Sequence, residues 1–79
     1  MFLFQITVQV DDEGRPKIPW MKPLILYPVY NIFKRTEKLD HPPGFRFKDT
    51  WFLVGERGGK RLEWVNAQGV DYAGDQEIR

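Results

Sequence analysis

The chain has 79 residues, twelve basic and eleven acidic side chains, one histidine and no cysteine. Such a length allows a single domain that buries about 60–65% of its unfolded surface. The missing thiols exclude disulfides, thiolate chemistry and a tetrahedral zinc site of the usual kind. A net charge of +1 argues against a general polyanion binder. No apolar run approaches the roughly 20 residues that span a bilayer. The apolar start Met1-Phe2-Leu3-Phe4 lacks the basic region of a signal peptide, so a cytoplasmic location is expected.

Phe4, Ile6, Val8 and Val10 alternate with Gln5, Thr7 and Gln9, which predicts a strand over residues 2–10 with one buried face. Asp11-Asp12-Glu13-Gly14-Arg15-Pro16 is a turn signal. Ile18 to Met21 is expected as a short irregular edge segment, because Pro16, Pro19 and Pro23 cannot serve a central ladder. Leu24 to Phe33 is a strand candidate whose Pro28 predicts an edge, a bulge or a bend. Lys34 to Gly44 is polar, ends in Pro42-Pro43-Gly44 and reads as a loop.

From Phe45 to Val54 the alternation returns and predicts another strand. Arg57-Gly58-Gly59-Lys60 is a hairpin turn, since consecutive glycines supply positive φ, and Arg61 to Val65 is the returning strand. Asn66-Ala67-Gln68-Gly69 is too short for an α-helix and fits one 3₁₀ turn; Val70-Asp71-Tyr72 follows as a last strand. Residues 1–73 are thus expected to form one domain, with 74–79 a polar tail. The expected fold is all-β: a small barrel of five to six short antiparallel strands, with a 3₁₀ turn before the last.

The run from Trp51-Phe52 through Leu62-Glu63-Trp64-Val65-Asn66-Ala67-Gln68-Gly69-Val70 resembles the closing half of an SH3-like barrel, and Leu26-Tyr27-Pro28-Val29-Tyr30 resembles that family's ALYDY-type strand. The resemblance covers about half the chain. It implies an SH3-like barrel in which Tyr27, Tyr30 and Trp51 would stand at the family's peptide groove. Asn66 occupies the place of the groove proline and Gly69 that of its second tyrosine, so recognition of proline-rich ligands is not implied. The strand over 2–10 lies outside the family pattern and resembles the many SH3-like small proteins of bacteria and their phages.

Catalytic constellations are lacking. Asp40-His41 has no serine or cysteine nucleophile to act on, because the chain contains neither residue. Asp11-Asp12-Glu13 lacks the ligand spacing of a calcium loop, and no helix follows Gly55-x-x-Gly58-Gly59-Lys60 to hold a phosphate. No enzyme and no cofactor is expected. The leading expectation is a non-catalytic protein-interaction module, an inhibitor or adaptor of a larger protein, with a phage or mobile-element origin. Its anchors would be Trp20, Tyr27, Tyr30, Arg46 and Trp51.

A nucleic-acid-binding module is the alternative. Residues 34–61 carry eight cations (Lys34, Arg35, Lys38, Arg46, Lys48, Arg57, Lys60 and Arg61) against four acids, whereas residues 62–79 carry one cation against four acids. Phe45-Arg46-Phe47-Lys48 would set Arg46 and Lys48 on one strand face, with Phe47 or Trp51 stacking on bases. A third reading is an oligomeric small-molecule binder. An exposed edge at residues 2–10 would favour a homodimer.

Overall fold

The computed structural model describes residues 2–35, 44–56 and 58–75. Its strands are β1 (Phe4–Val8), β2 (Tyr27–Lys34), β3 (Thr50–Gly55), β4 (Leu62–Asn66) and β5 (Val70–Asp75), and a 3₁₀ turn spans Ala67–Gly69. They form one antiparallel sheet in the order β4-β3-β2-β1-β5. No helix among the described residues is long and apolar enough to cross a membrane.

The two edge strands, β4 and β5, are joined by only three residues. Opposite edges of a flat five-stranded sheet stand about 19 Å apart at about 4.8 Å per step. Three residues of 3₁₀ helix advance about 6 Å. The sheet must therefore curl until its edges approach, and the curl encloses the core. Asn66 fixes the turn: its side-chain oxygen accepts from the Gln68 N–H at 3.0 Å, and its amide donates to the Lys48 carbonyl at 2.7 Å.

Inside the curl lie Phe4, Ile6 and Val8 of β1, Tyr27 and Val29 of β2, Phe52 and Val54 of β3, and Val65, Ala67 and Val70 from the closing segment. Each large apolar side chain so buried contributes about 1.5–3 kcal/mol. Phe45 reaches in from the loop before β3, its ring 5.0 Å from Phe52 and 6.0 Å from Phe4. Met21 enters from the β1–β2 connection, on a turn closed by its own N–H to the Ile18 carbonyl. That connection is tied down at Asp11, whose carboxylate accepts from the N–H groups of Glu13 and Arg15, both at 2.9 Å.

Several expectations change. The strand expected over 2–10 is regular only through Val8; beyond it the Gln9 N–H turns to the Gly69 carbonyl, and Val10 makes an isolated bridge to Pro16. β1 is not an edge, because β2 and β5 flank it, so self-pairing through that strand is ruled out. Phe45 to Asp49 is not strand but two successive turns, Phe47 N–H to Gly44 carbonyl and Thr50 N–H to Phe47 carbonyl, both 3.2 Å. The period-two pattern there comes from turns in which Phe45 packs against the core and Phe47 is half-buried while Arg46 and Lys48 stay exposed. The last strand runs on through Asp75, into the stretch read as tail.

Candidate functional site

β2 changes partner along its length. Tyr27 to Val29 pair with β1, whereas the ladder to β3 begins at Val29 and runs to Lys34. Pro28 therefore sits where β2 is bonded on one side only, which its missing N–H requires. Between Val29 and Asn31 the register with β3 slips. Such a slip sends the following side chains to the other face. Val29 is buried, and Phe33, which unbroken alternation would place beside it, stands exposed.

Phe33 pairs directly with Trp51, and Trp64 lies opposite Leu53, two residues along β3. Strand spacing then puts three aromatic side chains on three neighbouring strands of the outer face. They remain 53%, 40% and 46% exposed for Phe33, Trp51 and Trp64, and together they line a shallow depression of about 370 Å³. The face continues along β3 to Gly55, where an added Cβ would stand 2.6 Å from the ring of Tyr30, and Gly55 pairs with the exposed Leu62. The tyrosine ring lies over this position, in the space a side chain would take.

The end of the face at Phe33 and Trp51 is rimmed by Arg35, Lys48 and Asp49. Lys48 is held there by the Asn66 amide on its carbonyl. Arg35, Arg46 and Lys48 make no ion pair among the described residues. Other described acids lie away from this rim: Asp11, Asp12 and Glu13 in the turn after β1, and Asp71 and Asp75 on β5. At that far edge the Tyr72 hydroxyl donates to Asp75, and this hydrogen bond, aided by the carboxylate's charge, holds the phenol above its usual pKa.

The residues expected as a protein-binding set do not converge. Trp51 and Tyr30 share the outer face. Trp20 packs against the core on Tyr27, edge to face at 5.6 Å, with the Arg61 guanidinium 5.3 Å from its ring centroid. Tyr27 is a core residue whose hydroxyl accepts from the Lys22 N–H at 2.7 Å, so it is not a free groove wall. These two border a separate trough with Ile25 and Glu56. Arg46 is exposed on its turn.

The basic set is also dispersed. Lys60 and Arg61 sit in the β3–β4 hairpin, where Arg61 faces Glu63 at 3.2 Å and Glu56 at 3.8 Å. Lys34 is half-buried, and Lys38 and Arg57 lie outside the described residues, as do Asp40 and His41. Phe33 and Trp64 are site residues that sequence reasoning missed. For Trp64 a signal existed, because it alternates with the core residue Val65. For Phe33 the slip in β2 hid it.

Comparison with protein-family models, with curated proteins and with solved structures finds no match to this chain.

Proposed function

We propose that this chain is a non-catalytic binding protein whose contact surface is the outer face of β2, β3 and β4. The observation that carries this reading is the exposure of Phe33, Trp51 and Trp64 on adjacent strands, continued by Tyr30 and Leu62. Large exposed apolar patches rimmed by polar groups mark interaction sites, and binding energy concentrates in aromatic and arginine anchors. The side chains of this face offer flat area and charge; none is a nucleophile paired with a base. The scaffold is read as an SH3-like barrel. The hairpin, the 3₁₀ turn and the valine-led last strand support this, as does the three-residue connection that draws the edges together.

The test is binding by three forms of the full chain: wild type, Trp51→Ala/Trp64→Ala and Trp20→Ala. The double variant is expected to lose retention of whatever the wild type captures, with circular dichroism unchanged, while Trp20→Ala keeps it. Retention by the double variant equal to wild type would sink the proposal.

A further inference from the structure

We infer that the ligand of this face is a single-stranded nucleic acid, its bases lying on the rings of Trp51, Trp64 and Phe33 and its phosphates meeting Arg35 and Lys48. The inference rests on the binding reading above and names the partner class.

Three observations converge on it. The rings stand on an open sheet face rather than in a closed pocket. From Trp51 to Gly55, where Tyr30 lies, β3 runs four residues, or about 13 Å. Sheet-borne aromatics of this kind stack about two to three bases, and stacking tolerates any base because every base has a π-face. The charge is also arranged for an anion. Arg35 and Lys48 border the Phe33–Trp51 end without an ion pair among the described residues, against the single acid Asp49. The remaining acids near this half of the sheet, Glu56 and Glu63, face Arg61. Finally, a single-stranded nucleic acid carries planar rings and negative charge together on a flexible backbone, and so meets both features. A duplex keeps its bases inside the stack and cannot offer their faces.

Two phosphate contacts on a single strand give a modest salt slope, about −1.4 in log K against log salt. Affinity should then fall about sevenfold between about 50 mM and about 200 mM salt.

The test titrates the full chain with mixed-sequence single-stranded DNA and RNA of about 12 nucleotides, read by anisotropy of the labelled strand. The same sequence as a duplex, and inorganic polyphosphate, serve as comparison ligands. The wild type is expected to bind the single strands more tightly than either. Trp51→Ala or Trp64→Ala should weaken binding at least fivefold, with Trp20→Ala near wild type. Arg35→Gln and Lys48→Gln, both at exposed positions, should each lower the salt slope by about half. Polyphosphate bound as tightly as the single strands, or affinity indifferent to Trp51 and Trp64, overturns the inference. So does the absence of single-strand binding. If single strands fail while Trp51→Ala/Trp64→Ala abolishes retention of a protein partner or of a second copy, the surface stands and the nucleic acid falls. If that double variant changes no retention either, both fall.

Discussion

Thr50 begins β3 with no solvent exposure, and its hydroxyl meets no hydrogen-bond partner among the described residues. A buried hydroxyl left unpaired costs about 1–3 kcal/mol. Thr50→Val keeps the side-chain shape and removes the unpaired group, so it should raise stability by about 1 kcal/mol in denaturant unfolding. A loss of stability would mean that the hydroxyl does have a partner. Leu24 shows a second local cost: it adopts φ 66° while 94% exposed, a backbone region unfavourable for a branched side chain.

At the scale of elements, two glycines separate cheap from costly crowding. Gly44 has φ 74°, and an added Cβ would run into the Thr50 side chain, itself fixed in the core. Gly55 is obstructed by the Tyr30 ring, which is half-exposed and can swing away. Gly44→Ala should therefore cost about 2–3 kcal/mol, and Gly55→Ala about 1 kcal/mol or less. Equal costs in chemical denaturation would contradict the freedom of the Tyr30 ring to move off Gly55.

Strand by strand, what could be read in the sequence depended on how local its cause was. Alternation in Phe4 to Val8, the glycine pair of the hairpin and the short Asn66–Gly69 step are local signals, and each yields the element it predicts. The turns at Phe45 to Asp49 imitate alternation, because Phe45 is drawn to Phe4 and Phe52 by packing that no local pattern encodes. The register slip in β2 coincides with its change of partner at Val29, and beyond it Phe33 stands on the surface.

For the molecule as a whole, strand order was beyond the reach of the chain's local pattern, since β1 pairs with β5 from the far end of the sequence. Only that order shows that the described cations of the basic stretch, grouped in the sequence, do not gather on one surface. Of the basic stretch 34–61, Arg35 and Lys48 reach the aromatic face, while Arg61 is engaged with Glu56, Glu63 and Trp20. The curled sheet thus carries two surfaces. A core-backed trough holds Trp20 and Tyr27, and an open face holds Phe33, Trp51 and Trp64. Two of the three tryptophans lie on the proposed binding face and one does not, so the chain carries its own reporters.

The most direct measurement follows the three indole N–H resonances by NMR while single-stranded oligonucleotide is added to the labelled full chain. Trp51 and Trp64 should shift or broaden together in a saturable way, with Trp20 unmoved. Movement of Trp20 alone, or no movement of any indole under conditions where other ligands are also tried, would contradict the assignment of the outer sheet face as the binding surface.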